Sequence, residues 1–483
     1  MAADFQLLIG GEWVDAGDGA YEIVNPATER VVGEAPNASL ANAEAACAAA
    51  AEAFPAWSQT SAEHRGELLN RVADLLDKRR DEFVPLVQAE TGATQRVTKT
   101  MQVPIAATRF RRYAQVESNI VPLAPAVMPT TALAPGGIIG AIEHRAPVGV
   151  VACITSYNFP MTNMAGKLAP ALAMGNTVVV KPAWQDPLAV IRMCEVFEQA
   201  GFPPGVVNVI SSKGPGPAEA LVESRNVDMV SFTGSTAVGC RIAEVAGRGM
   251  KRLLLELGGK GAAVVFDDAD VATVLANLTS TWAFHSGQIC TAPTRLVAQR
   301  GIYDELVGKL AATAGRLKVG DPLESDTVIG PVITGAHRDR VEGYVQSAVQ
   351  QGATTVAGGE RPDLDTGFYV GPTMLADARP DMTVAQEEIF GPVIVGIAFD
   401  DEDEAVRIAN GTPFGLYDYV FSGDTGRAMA VAKQLRSGNV GINTLQRNHE
   451  AAFGGFKYSG VGRDGGSWGL HAYSEMQSIV WPG

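Results

Sequence analysis

"VGVVACIT", residues 148–155, is an unbroken apolar run rich in valine that ends in the polar turn "SYNFP". A strand with one wet face alternates apolar and polar side chains, whereas a strand covered by helices on both faces has no need to. Four further runs repeat the pattern: "NTVVVKP" (176–182), "GVVNVIS" (205–211), "MVSFTG" (229–234) and "RLLLELGG" (252–259). Helix-length segments separate them, and this alternation predicts a doubly wound α/β domain with a parallel sheet. Ligands of such sheets bind beyond the carboxyl ends of the strands. The rule singles out Ser156–Asn158, Lys181–Trp184, Ser211–Gly214, Thr233–Gly239 and Leu257–Gly259.

Upstream the pattern is helical. "SLANAEAACAAAAEAF" (39–54) opens on a candidate N-cap serine, and residues 61–83 place Leu69, Val72, Leu75 and Leu76 on one helical stripe. Residues 122–140, rich in proline and glycine, read as an arm, followed by a charged strand at 140–147. A second α/β section runs from about 260 to about 445. Its expected helices are 302–318, 334–351 and 402–410, and its expected strands are "TRLVAQ", "FYVGPTML", "VIVGIAF" and "NVGIN". The C-terminus closes on a strand-like tail.

The chain has 483 residues and a formal charge of −15. An acidic balance argues against nucleic acid as the partner, because such binders need a basic patch. No apolar run reaches the ~18 residues of a membrane span, and the N-terminus lacks the basic-then-apolar order of a signal peptide. The five cysteines are scattered, without CxxC or zinc-type spacing. Free thiols in a reducing cytoplasm are the expectation.

Several stretches pair a chemical reading with a plain structural one. "FTGSTAVG" (232–239) follows a strand and opens a helix, so it suits a phosphate at the helix N-terminus or serves as a tight turn. Lys181, at a strand end, reaches a ribose or is simply solvated. Glu256, inside the apolar "LELGGK", has the raised pKa of a desolvated carboxylate, as a general base working near neutrality requires, or pairs with a lysine. Asn158 supplies an amide to an oxyanion or forms a turn. Glu388, in "EEIFGPV", binds a ribose diol or ends a helix. Cys290, in "FHSGQICTAPTR" (284–295), is a nucleophile or a small core residue. His285 beside it suggests a Cys–His pair, a reading set aside because Glu256 fills the base role.

Taken together, in this order, these motifs resemble the aldehyde dehydrogenase superfamily, from "GGEWVDAGDGAYEIVNPATERVVGEAP" (10–36) to "FGGFKYSGVGRDGG" (453–466). The resemblance implies Cys290 as nucleophile, Asn158 and the Cys290 N–H as oxyanion hole, and Glu256 as the base that activates water to hydrolyse the thioester. Relatives that pass the thioester to coenzyme A generally lack this glutamate, so its presence implies a free carboxylic acid. The cofactor implied is NAD, with NADP as the alternative, and no metal is required. Its expected contacts are Thr155, Ser156, Tyr157, Lys181, Trp184, Gly214, Phe232, Gly234, Ser235, Val238, Leu257, Gly258, Glu388 and Phe390. The expected substrate tunnel is built of Phe159, Asn163, Phe284, Ile289, Thr291 and Phe453.

The implied fold class is α/β. A Rossmann-like dinucleotide-binding domain (1–123 and 148–258) is joined to a second α/β catalytic domain (259–455) and to a β-strand oligomerisation arm and tail (124–147 and 456–483). A homodimer or homotetramer follows by resemblance, with a small-molecule aldehyde as the only other partner and neither nucleic acid nor membrane.

Two departures stand out. NAD-preferring members commonly carry a glutamate three residues after the lysine; here that position is Trp184, which removes the carboxylate's repulsion of a 2′-phosphate but adds bulk. At Gly166, many members carry a large aromatic residue or an arginine, which in some semialdehyde-oxidising members clamps a carboxylate. Glycine there predicts a roomier tunnel and a bulky aromatic or branched aldehyde. Arg447 and His449, near the expected mouth, recognise a polar substituent or are solvated. The alternatives are an NADP-using semialdehyde dehydrogenase, a thiol esterase without redox role, or a non-catalytic protein on the same fold.

Overall fold

The computed structural model describes residues 5–115, 117 and 119–482. Residues 1–4 and Gly483, at the ends of the expected domain and tail, lie outside the described residues, as do positions 116 and 118. The five valine-rich runs form parallel strands at Val150–Ile154, Thr177–Lys181, Val207–Val209, Met229–Thr233 and Arg252–Glu256. Nearly every residue in them is buried. Two antiparallel N-terminal strands, Leu7–Ile9 and Glu12–Val14, extend one edge. Gly460–Val461, expected in the tail, instead pairs with Arg252–Glu256 at the other edge, giving eight strands.

The second section forms a seven-stranded sheet spanning Ala262–Val265 to Asn439–Ile442. Of "FYVGPTML", only Thr373–Ala376 joins it: Pro372 has no N–H for the ladder. The expected helices are Arg300–Ala314, Gly335–Gln350 and Glu402–Asn410. Gly137–Pro147 of the arm pairs with the tail Ser474–Pro482 in a separate sheet and, along its other edge, with Ala126–Met128 of the arm and with Ile120–Pro122, expected in the first domain. That sheet leaves Val127, Leu133 and Val480 at 82%, 99% and 60% exposure.

Residues 61–83 are not one helix. Ser61 caps Ala62–Lys78, and a second helix, Arg80–Thr91, follows. At Arg79 the backbone N–H turns back to Leu75 and Asp77, while the guanidinium grips Glu82 through two 2.8 Å bonds. No helix among the described residues is long and apolar enough to cross a membrane.

The chain crosses from the first sheet to the second through Leu257–Gly261, a five-residue link. A Cβ at Gly259 would strike the carbonyl oxygen of Cys290, and one at Gly258 the carboxylate of Glu388. Gly259→Ala is therefore expected to destabilise the protein by about 1–3 kcal/mol, read as a lower denaturant midpoint. An unchanged midpoint would show that the two sheets do not depend on this close approach.

Candidate active site

Between the two sheets lies a cavity of about 470 Å³. Cys290, Glu256 and Asn158 all line it, although 132 positions separate Asn158 from Cys290 in sequence. Cys290 follows a tight turn in which His285, Ser286 and Gly287 all adopt positive φ (51°, 56° and 71°). The turn lifts the thiol, half-buried, onto the cavity wall. Burial, with the Glu388 and Glu256 carboxyls nearby, pushes that thiol up to about 12, while Arg447 pulls the other way. The resting group is a thiol, and it needs a base or a positive charge to ionise.

The Asn158 amide is fixed on both sides. Its Oδ1 accepts from Ser156 Oγ at 2.8 Å and from Asn163 Nδ2 at 3.1 Å, so its NH2 faces the Cys290 loop and donates to Gln288 O at 2.9 Å. One N–H is left for a new acceptor. Asn163, expected only to line the tunnel, does so and also orients this amide. His285, weighed in the sequence only as a partner for Cys290, acts instead on Asn158: its Nε2 lies 2.7 Å from the Asn158 backbone carbonyl oxygen and its ring rests on Phe159. Burial lowers it to about 4, so it is neutral at physiological pH and donates from that nitrogen.

Glu256 ends its strand inside the cavity with both carboxylate oxygens buried and without a hydrogen-bond partner among the described residues. Burial first, and then the charge of Asp464, raises its pKa well above the carboxylate range; Lys167, Arg447 and Arg463 oppose the shift. Lys167, missed in the sequence, is buried and donates to Ser231 Oγ at 3.2 Å.

All six expected tunnel residues line the same cavity. So do Ser156, Tyr157, Gly234, Ser235, Leu257, Gly258, Glu388 and Phe390 from the expected cofactor set. Glu388 accepts from Gly259 N at 3.0 Å, and burial moves it up to about 7. Phe390, with a positive φ of 60°, packs edge-on against Tyr157. Ser235 caps the helix Thr236–Gly247, and Val238 is exposed in its first turn. Gly234 is tied to Glu256 through N–H to O at 3.0 Å and has the Phe232 ring against its Cα.

Six expected contacts do not line the cavity. Thr155 and Phe232 are buried behind it. Lys181, Trp184 and Gly214 cluster instead at the strand ends, with Val238 on the helix that closes that side. Lys181 Nζ is 3.5 Å from Ser212 O and is lowered to about 8 by burial, while Lys213 sits 5.8 Å from the centre of the Trp184 ring.

Gly166 does not open the tunnel. A Cβ there would collide with Arg109 Nη1, so an arginine from the helix Val103–Tyr113 occupies the space that the glycine was expected to leave free. Arg447 and His449, read as mouth residues, both line the cavity, and the Arg447 guanidinium lies 3.8 Å over Phe453.

Comparison with known proteins agrees with this geometry. The family model described as "Aldehyde dehydrogenase family" matches residues 13–479. A 3-succinoylsemialdehyde-pyridine dehydrogenase of a Pseudomonas species is 36% identical, covering 98% of both chains. A geranial dehydrogenase of Castellaniella defragrans is 37% identical over 99% of both. A betaine aldehyde dehydrogenase of Staphylococcus aureus, solved in complex with NAD+, superposes with a TM-score of 0.94 at 33% identity, covering 99% of this chain and 95% of that one. The chain therefore belongs to the aldehyde dehydrogenase family, oxidoreductases acting on aldehydes.

Proposed function

We propose that the protein oxidises an aldehyde to the free carboxylic acid with NAD(P)+, by way of a thiohemiacetal and then a thioester on Cys290. The observation that carries this reading is Glu256: two buried, unpartnered carboxylate oxygens in the cavity that also holds Cys290 and the oriented Asn158 amide. A buried polar atom without a partner costs about 1–3 kcal/mol, a cost that makes sense where water is to be bound and deprotonated.

The cofactor fits the residues present. Ser235 and the N-terminus of the helix Thr236–Gly247 border the cavity, where a pyrophosphate is favoured. Glu388 has one oxygen uncommitted for the nicotinamide ribose, and Lys181 lies at the adenosine end. The bound nicotinamide supplies the acceptor for hydride. The rest falls to the protein. Glu256 takes the proton of the Cys290 thiol and passes it to solvent, Sγ bonds to the aldehyde carbon, and the charge arising on oxygen takes the free Asn158 N–H and the Cys290 backbone N–H. After oxidation, Glu256 takes a proton from water, whose oxygen displaces Sγ. One aldehyde and one water give one carboxylate, with two electrons leaving as hydride and two protons released. The same three residues suffice for ester hydrolysis, so esterase activity without any nicotinamide reduction would mark the enzyme as a thiol esterase.

We assign the adenosine end to NAD+, with NADP+ also accepted, because no carboxylate stands at Trp184. The arm and tail, with exposed apolar residues on an open edge, support a homodimer or homotetramer. Five free cysteines support a reducing cytoplasm.

Glu256→Gln is expected to slow deacylation by about 10²–10⁴-fold, with a burst of reduced nicotinamide at 340 nm followed by a slow phase. Normal steady-state turnover would remove Glu256 as the base. Because burial raises its pKa, the basic form grows as pH rises, so wild-type deacylation should go on climbing with pH beyond the ordinary carboxylate range; a flat profile counts against the assignment. Trp184→Glu should shift the NADP+/NAD+ ratio of kcat/KM and of Kd toward NAD+. An unmoved ratio means that Trp184 does not face the ribose.

A further inference from the structure

The helix Val103–Tyr113 carries three arginines, and the structure treats them differently. Arg111 pairs with Asp74 at 2.8 Å and Asp77 at 2.7 Å, and Arg112 with Glu117 at 3.0 Å and Glu450 at 2.6 Å. Arg109 turns inward and donates from Nη1 to the Thr162 carbonyl at 3.0 Å. Among the described residues no carboxylate lies within 4.0 Å of its guanidinium, and the same holds for Arg447. Asp464 is the acid nearest Arg109: its Oδ2 and the Arg109 Nη1 flank the same side of Gly166, and it lines both cavities without coming within 4.0 Å of the guanidinium. Both arginines line the catalytic cavity and also an adjoining one of about 390 Å³, so they stand where the two meet.

Two like charges enclosed together repel. Burial first, and then the neighbouring positive charge, lowers both His449 (from Arg447 and Arg109) and Arg447 (from Arg109). A sequence under no demand for cations here has a simple remedy, since the two other arginines of this helix each have acids. An apolar aldehyde leaves the repulsion in place. A planar carboxylate relieves it, because guanidinium forks bind that group through paired, charge-assisted hydrogen bonds.

We infer that the substrate is an aldehyde whose far end carries a carboxylate, held between Arg109 and Arg447, with Gly166 kept small so that Arg109 reaches the tunnel. The inference rests on the dehydrogenase reading above and names the substrate class of that site. The product is then a dicarboxylate, formed by the same oxidation with no further reactant.

The test compares straight-chain ω-oxo acids of graded length with their methyl esters, following reduced nicotinamide. For the best length, wild-type kcat/KM should favour the acid by about 10–100-fold. Arg109→Gln and Arg447→Gln should each lower that ratio by about tenfold or more, mainly through KM. Gly166→Ala, which displaces Arg109, should do the same. Thermal midpoints check that each variant is folded. Calorimetry with the dicarboxylate of the same length gives a second reading that needs no turnover: Kd should rise at least tenfold in each arginine variant. Esters oxidised as well as acids, an acid/ester ratio unmoved by the variants, or a phosphorylated aldehyde preferred to the oxo acid would overturn the inference. Absence of nicotinamide reduction with every aldehyde would sink the dehydrogenase reading instead. In that case dicarboxylate binding that depends on both arginines would still support the clamp, and binding indifferent to them would end it.

Discussion

Everything in the site depends on how closely three pieces of backbone meet at Gly258 and Gly259. The strand that ends in Glu256 must hand the chain to the second sheet within five residues. In that span Gly258 lies against the Glu388 carboxylate, Gly259 donates to the same group at 3.0 Å, and its Cα faces the carbonyl of Cys290. Any side chain at either glycine would push the Cys290 loop or Glu388 away from Glu256. The crossing between the sheets is thus also the gauge that sets Glu256, Cys290 and Glu388 relative to one another. A shift of about 1 Å there would cost rate as surely as a changed side chain.

Chemistry and stability pull against each other in this space. Glu256 keeps two unsatisfied oxygens, Thr155 an unsatisfied hydroxyl and Lys260 an unsatisfied ammonium. His285, Ser286 and Phe390 hold left-handed backbone, which costs of order 1–3 kcal/mol each. None of these features stabilises the fold, and apolar clusters on both sides of each sheet offset them. Part of the strain and some of the unpaired atoms thus lie where Cys290 and Asn158 must be aimed.

The parts legible in the sequence are those whose signal is local. Valine-rich runs announced the five parallel strands, and a glutamate inside one of them announced a desolvated base. Asn158 and Cys290 were found through resemblance, since a turn asparagine and a lone cysteine carry little signal. What remained hidden depends on tertiary facing. "RFRRY" holds Arg109, Arg111 and Arg112 within four residues, and nothing in that string tells which one meets acids on the surface and which one meets the tunnel. Gly166 was misread for the same reason: a missing side chain announces space, and the sequence does not reveal that a distant arginine fills it. The pairing of Gly460–Val461 likewise depends on a partner far along the chain.

The tunnel's charge also opposes that of the whole molecule. With a net charge of −15, the protein repels an anion at long range, but the screening length is about 8 Å at physiological salt. Inside that distance two unpaired guanidiniums dominate: at 4 Å a single charge pair amounts to about 4 kcal/mol at an effective dielectric constant of 20. An anionic substrate would therefore gain little from steering and most of its binding from the last few ångströms. The opposite end of the reaction uses the same contrast. Oxidation would create a second carboxylate near Glu256 and Glu388, in surroundings whose burial already disfavours charge on both acids. A site that attracts one end of its ligand and repels the charge it has just made holds the oxo acid more tightly than the dicarboxylate, so product release draws on the same electrostatics that select the substrate.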